Sequence, residues 1–468
     1  MNWQKWARLL IAVGAVVFAG VVVLGIKRRV PSAAARVAST DPKAVVESAG
    51  GLRFGWRGEH EDTRITYQRL ITYTDGSTKM QGVTVVTERA GGRLFTINAR
   101  EGGVSKDESD ISLTGDVRIA VSDGMLIHAD RASYREADAV LRAPGPVDVS
   151  RGRMTGSSNG FLYDKNRDQI TLVDHVSLRM APDPHGAGAM DISAPSATFN
   201  RPDKTIHFEA GLRAMRPPQV VEAESAVAHL SADEERLDAI ELRGNSRITG
   251  AAEGGVGGLR SLTGRDIDLK YGPDGQSIEH ALVVGNALIQ FAGDPGQEGR
   301  RIAGNTVDVS LAPDGSTPTA LAARENVQLV FPPAPGASAR TIDAQRLDAS
   351  GDARHGLTTA HFEGGVRFRE QGPAVDRRAV SQVLDTALGP GMSSIDEATF
   401  TRAVQFEDAS MTAQAPVARY VLDKGTLDLS GDGPATASPR VDTQQIGIDA
   451  PRISVALDGP IVKASGAV

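Results

Sequence analysis

Residues 111–132 read ISLTGDVRIAVSDGMLIHADRA. Ile111, Leu113, Gly115, Val117, Ile119 and Val121 are apolar or small, and Ser112, Thr114, Asp116 and Arg118 between them are polar. A period of two sends alternate side chains to opposite faces of an extended chain. Asp123-Gly124 then supplies the residue types that reverse a chain tightly. The stretch therefore predicts an antiparallel hairpin with one apolar face. The same alternation returns at Ile170, Leu172, Val176, Leu178 and Met180, at Phe362, Val366 and Phe368, and at Ile446 and Ile448. Turn signals separate the runs at Asp75-Gly76, residues 200–204, Pro273-Asp274-Gly275, Pro313-Asp314-Gly315 and residues 423–425. These features predict an all-β protein of mainly antiparallel strands.

A second pattern lies inside the strands. A small or polar pair interrupts the run before it continues apolar: Gly115-Asp116, Asp174-His175, Gly244-Asn245, Gly285-Asn286, Glu325-Asn326, Gly364-Gly365 and Arg402-Ala403. In the last five, positions 245, 286, 326, 365 and 403 recur at a period near forty. The Asp274-Gly275 and Asp314-Gly315 turns repeat at the same interval. Such a period marks a repeat array. Gly or Asn in mid-strand marks a bulge or bend, so each unit is expected to turn one corner. Trp occurs only at 3, 6 and 56, which excludes a Trp-Asp propeller. One segment breaks the β pattern: in Val375–Leu388, Val375, Val380, Val383, Leu384 and Leu388 fall on one side of a 3.6-residue period, predicting a helical insertion.

The chain has 468 residues, 40% hydrophobic but only 4% aromatic, so its core must be mainly Val, Ile, Leu and Ala. A net charge of −7 without a basic stripe argues against nucleic acid as a partner. The absence of cysteine removes disulfides, thiolate metal sites and cysteine catalysis. Residues 9–26 are all apolar or glycine, enough to span roughly 27 Å as a helix at ~1.5 Å per residue. Trp3 and Trp6 precede this run and Lys27-Arg28-Arg29 follow it. The expectation is a retained transmembrane anchor over 1–30 rather than a cleaved signal peptide. Residues 31–50, small and polar with Pro31 and Pro42, read as a linker.

With the strands and anchor in view, residues 111–132 followed by Tyr134 resemble the OstA-like periplasmic domain of the lipopolysaccharide-export bridge. The carrying pattern is L-T-G-D-V, a D-G turn, then A-D-x-A-x-Y. Residues 73–85 (YTDGSTKMQGVTV) resemble the early strands of an LptC-type protein, and residues 191–212 and 266–291 resemble further OstA-type rungs of the LptA kind. The resemblance implies an N-terminal transmembrane helix followed by an elongated β-jellyroll array, a bent sheet around an apolar groove. It places an LptC-like domain at 51–180 and LptA-like repeats at 181–468. Typical LptC proteins are much shorter than this chain.

The implied function is lipopolysaccharide transport from the inner membrane across the periplasm, with lipid A acyl chains held in the groove. Implied partners are lipopolysaccharide, an inner-membrane ABC transporter that supplies the energy, and LptA-like or outer-membrane LptD-like jellyrolls joined by edge-strand pairing. The expected location is the inner membrane, single-pass, with the bulk of the chain periplasmic. Candidate groove residues are Leu113, Val117, Ile119, Leu126, Tyr134, Leu141, Leu172, Val176, Leu178, Phe199, Ile206 and Phe208. The plain alternative for each is packed core. Arg118, Arg131 and Arg142 are candidate contacts for lipid A phosphates, with solvated surface charge as the alternative.

Catalytic signatures are missing. There is no H-E-x-x-H and no G-x-S-x-G, and the glycine-rich EGGVGG at 253–258 lacks the Lys-Ser/Thr of a phosphate loop. The nine histidines are dispersed, and Asp107, Glu108 and Asp110 read as solvated loop carboxylates. No enzyme activity, cofactor or metal is expected. The competing readings are an adhesin-like or structural β scaffold of the envelope, and a polysaccharide-active enzyme on a parallel β-helix.

Overall fold

The computed structural model describes residues 43–466, apart from 58–59, 89–92, 107–108, 136, 185, 187, 251–257, 294–295, 335–336, 374, 432–437 and 460. The expected anchor at 1–30 lies outside the described residues. Among the described residues no helix is long and apolar enough to cross a membrane. Two compact units divide at Ala143/Pro144.

In the first unit, β1 (Ala44–Arg57), β2 (His60–Tyr73), β3 (Thr78–Glu88), β4 (Leu94–Val104), β5 (Asp110–Val121) and β6 (Met125–Arg135) form a continuous antiparallel meander. The quoted hairpin is β5–β6, with Ile119 opposite Ile127 and Leu113 opposite Ala132. At its turn, Gly124 takes φ +85° and the Asp123 carboxylate accepts the Met125 N–H at 3.1 Å. The expected linker at 31–50 is corrected in part: from Ala44 onward its residues belong to β1, which pairs along β2. Strand β7 (Val140–Arg151) contains the division between the units.

In the second unit, β8 (Met154–Asp164), β9 (Gln169–Met180) and β10 (Met190–Asn200) continue an antiparallel meander. The expected boundary at 180/181 falls within the β9–β10 hairpin, which pairs from Met180–Met190 to Gln169–Asn200. Next come β11 (Thr205–Glu209), β12 (Leu212–Arg216), β13 (Gln219–Ala223) and β14 (Ser225–Leu230), shorter pieces that pair as two bent rungs. The long repeats follow: β15 (Leu237–Thr249), β16 (Leu259–Tyr271), β17 (Ile278–Phe291), β18 (Arg301–Leu311), β19 (Pro318–Phe331), β20 (Ala339–Asp352), β21 (Gly356–Gly372), β22 (Val375–Leu388), β23 (Ile395–Asp408) and β24 (Met411–Val421). Short strands close the chain: β25 (Thr426–Ser430), β26 (Arg440–Thr443), β27 (Gly447–Asp449), β28 (Arg452–Ala456) and β29 (Ile461–Ser465).

The segment expected to be helical is β22, paired on both sides with β21 and β23. Tertiary pairing overrides its apparent helical period. Its inner face is Arg377, Ala379, Ser381 and Val383 up to a break, then Leu384, Thr386 and Leu388. The break puts two buried residues side by side, which imitates a helical spacing.

All seven interrupting pairs are corners. Both residues of each pair have positive φ, from Gly115 (+79°) and Asp116 (+54°) through Gly285 (+77°) and Asn286 (+53°) to Arg402 (+66°) and Ala403 (+55°). Each corner falls at a register shift against the neighbouring strand, for example between Val284 and Ala287 in β17. Two successive left-handed residues bend the strand, so its halves lie in different walls. In β15–β24 the halves before the corners of the odd-numbered strands pair with the halves after the break in the even-numbered strands, forming a first wall. The remaining halves form a second wall. The core lies between them, led by Leu242, Ile267, Val283, Val307, Leu347 and Phe362, each 0% exposed.

Candidate functional site

On the inner face of β5, Leu113, Val117 and Ile119 are buried, Val117 completely. Opposite them on β6 stand Ala132, Ala129 and Ile127, all buried. Leu126 is corrected to the outer face at 55% exposure. It pairs with the outward Ala120, because the hairpin register sets Met125 and Ile127 inward. Tyr134 is half-buried opposite Ile111, and Leu141 is buried.

In the second unit, Leu172, Val176 and Leu178 of β9 are buried on one face. Phe199 of β10 lies between Ile170 of β9 and Ile206 of β11, and Phe208 faces Ala197. Phe208 is buried, whereas Phe199 and Ile206 are half-buried, and the Arg201 guanidinium covers the Phe199 ring at 5.3 Å. The β9–β10 lining is less tightly covered than the later repeats. Ile170, Leu172, Leu178 and Ala194 keep 7–8% of their surface, whereas Leu242, Ile267, Val283, Val307, Leu347 and Phe362 in the middle of β15–β21 keep none.

A cleft of about 750 Å³ runs along the corners of β9 to β15. Buried Val176, Ala194, Leu212 and Ala223 contribute its apolar wall. Its charged rim is internally matched: Arg213 pairs with Glu222, Asn245 donates to Glu224, and His175 lies 2.7 Å from Asp174. Sequence reading did not locate this cleft, since its lining comes from several rungs.

The basic candidates divide. Arg118 is held 3.0 Å from Asp116, which also meets His128 at 3.0 Å. These two hydrogen bonds hold the Asp116 carboxyl below the usual carboxylate range. Arg142 reaches Asp138 at 2.7 Å, and Arg131 is exposed. The histidines read as dispersed also have carboxylate partners. His229 meets Glu241 at 3.0 Å, His280 meets Asp308 at 2.6 Å and His361 meets Asp385 at 2.6 Å. They alternate with Arg243–Asp268 and Arg324–Asp348 on the outside of the first wall, a polar-pair counterpart of the repeat. Among the described residues no group of three or more potential metal ligands converges.

The geometry defines a class: a bent antiparallel β-sheet with an apolar inner face, on which no metal-ligand cluster converges among the described residues. Residues 11–181 are similar to the family described as "Lipopolysaccharide-assembly, LptC-related". The match covers a little over a third of the sequence and includes both Val117 and Val176. No curated protein matches the chain.

Proposed function

We propose that the protein carries lipopolysaccharide from the inner membrane across the periplasm, holding lipid A acyl chains against the inner faces of β3–β6 and β8–β11. The observation that carries the reading is the coincidence of the matched stretch with a continuous apolar inner face, which is only partly covered at β9–β11. Burying an acyl methylene gains ~0.8 kcal/mol, so a long chain of them repays a modest opening of the walls. Residues 1–30 are the membrane anchor, 51–180 the LptC-like domain and 181–468 the OstA/LptA-like repeats. The bulk of the chain is periplasmic. An inner-membrane ABC transporter supplies energy, and the described groups perform no catalytic step.

Edge pairing with LptA-like or LptD-like jellyrolls has support at both ends. Among the described residues β1 pairs only with β2, and β29 only with β28. Strand β1 also exposes Val45, Val46, Leu52 and Phe54. Free edges with apolar side chains suit strand addition.

The test is site-specific photocrosslinking to lipopolysaccharide in living cells, with probes at inward Val117 and Phe199 and at Thr114 as control. Adducts at the inward sites alone, lost on ATP depletion, are expected. Adducts at Val117 without Phe199 would confine the lipid to the LptC-related part. No adduct at any site in a stably expressed protein would refute transport and favour the scaffold reading.

A further inference from the structure

The space between the two walls in β16–β24 is tied shut along its mouth, the side away from the corners. Leu259 at the rim of the second wall donates its backbone N–H to the Ser316 carbonyl at the rim of the first, at 3.0 Å. The Arg300 guanidinium, beside the start of β18, donates to the Ser393 carbonyl at 3.0 Å. The strongest tie joins β20–β24. Arg340, Glu370 and Arg377 stand in register across three strands of the second wall. Arg340 donates twice to one Glu370 oxygen, at 3.0 and 2.9 Å. From the first wall, the Tyr420 hydroxyl donates to the other Glu370 oxygen at 2.7 Å and accepts from Arg377 at 2.7 Å. Arg377 also reaches Asp458, in the turn beyond β28, at 2.7 Å.

Glu370 and Arg377 are 4% and 6% exposed, and Tyr420 is fully buried. Charges so placed are costly unless matched, and here each has a partner. Burial and the neighbouring Glu370 carboxylate push the Tyr420 hydroxyl upward, which keeps its proton available to donate. Beneath the tie, aromatic rings fill the interior: Phe368 of the second wall meets Phe400 of the first edge-on at 5.7 Å, and Phe406 meets Tyr420 at 6.0 Å. An acyl chain entering here would have to separate matched buried charges and offer them nothing in return.

We propose that the Glu370–Arg377–Tyr420 tie is a clasp that bars acyl chains from β20–β24, so that lipid is admitted to the less covered rungs and excluded from these. The clasp itself is independent of which lipid is carried; its use as a boundary rests on the transport reading above.

The chain has no cysteine, which permits a clean accessibility test in the full-length protein. Ala398, 0% exposed and paired with Tyr420 across the strand, becomes the reporter as Ala398→Cys. Ala197→Cys reports the β10 lining. Dodecyl maleimide in mixed micelles is the probe. Tyr420→Phe combined with Arg377→Met cuts the cross-mouth bonds while leaving Arg340–Glu370 paired within its wall. The expected result is slow labelling at position 398 that accelerates roughly tenfold or more when the clasp is cut, as local opening becomes more populated. Equal rates with the clasp intact and cut, in proteins with unchanged circular dichroism, would overturn the clasp. So would rapid labelling at 398 in the intact background, matching a rapid rate at 197. If the double variant loses its β signal, Tyr420→Phe alone is judged by the same criterion, with a smaller acceleration expected. Slow labelling at 197 together with clasp-dependent labelling at 398 would sink the transport reading and leave the clasp standing.

Discussion

Ala403 occupies a conformation that alanine disfavours. It is the second residue of the β23 corner, at φ +55°. A left-handed backbone costs a residue with a Cβ ~1–2 kcal/mol. Glycine escapes that strain but loses more chain entropy on folding, ~0.5–1 kcal/mol. Ala403→Gly should therefore stabilise the β22–β24 region by ~0.5–1 kcal/mol, the difference between these terms. Ala387→Gly is the control, on the exposed face of β22 and paired with Thr359 and Glu397. There the same chemical change should destabilise by ~0.5–1 kcal/mol. The mirror experiment is Gly365→Ala, at φ +63° with open space around an added Cβ, which should cost ~1 kcal/mol. Gly285→Ala should cost more, because the new Cβ would lie 2.8 Å from the Arg265 Cβ. Repeat arrays need not unfold in one step, so the assay is amide hydrogen exchange of β22–β24, supported by urea midpoints. If Ala403→Gly lowers protection as much as Ala387→Gly does, the left-handed corner is refuted.

Val117→Asp places an unpaired charge at a fully buried position and should destabilise the first unit by more than ~3 kcal/mol. Leu126→Asp, on the outer face, should stay within ~0.5 kcal/mol by chemical denaturation; similar losses for both would overturn the assigned register. His361 is raised above its ordinary value, first by its hydrogen bond to Asp385 and then by Glu363. A raised histidine contributes its full stabilisation below the unfolded value of about 6.5, and the contribution is lost as pH rises through the higher folded value. His361→Gln should thus lower the unfolding midpoint more at about pH 6 than at about pH 9. The pair is half-exposed, so the difference should be ~0.5 kcal/mol or less; a larger loss at the alkaline end would contradict this assignment.

The corners were legible in the sequence because their chemistry is local. Gly, Asn and Asp tolerate positive φ, and a mid-strand pair of them has few other uses. Even Arg402-Ala403, which lacks that chemistry, was identified by its place in the period. The Asp-Gly turns were legible for a similar reason: the Asp274 carboxylate accepts the N–H groups of Gln276 and Ser277, both at 2.9 Å. What depended on partners was not legible. Arg377 and Ser381 are inward on β22, so its buried face does not read as apolar and its remaining apolar residues fit a helical period instead. The outward placement of Leu126 follows from hairpin register rather than hydrophobicity. The Glu370–Arg377–Tyr420 tie joins strands whose residues lie up to 50 positions apart, and no spacing in the sequence announces it.

The corner period sets a unit of growth. One cornered strand and its partner take about forty residues and occupy two strand spacings, or ~9.5 Å along the stacking direction. Duplicating or deleting one such pair would preserve the inward or outward sense of every remaining side chain. Gain or loss of a single residue within a strand would instead invert that sense for the rest of it. Length in this architecture is therefore a stepped variable: genetic events can lengthen or shorten the array by whole increments of about one nanometre while its lining remains in phase.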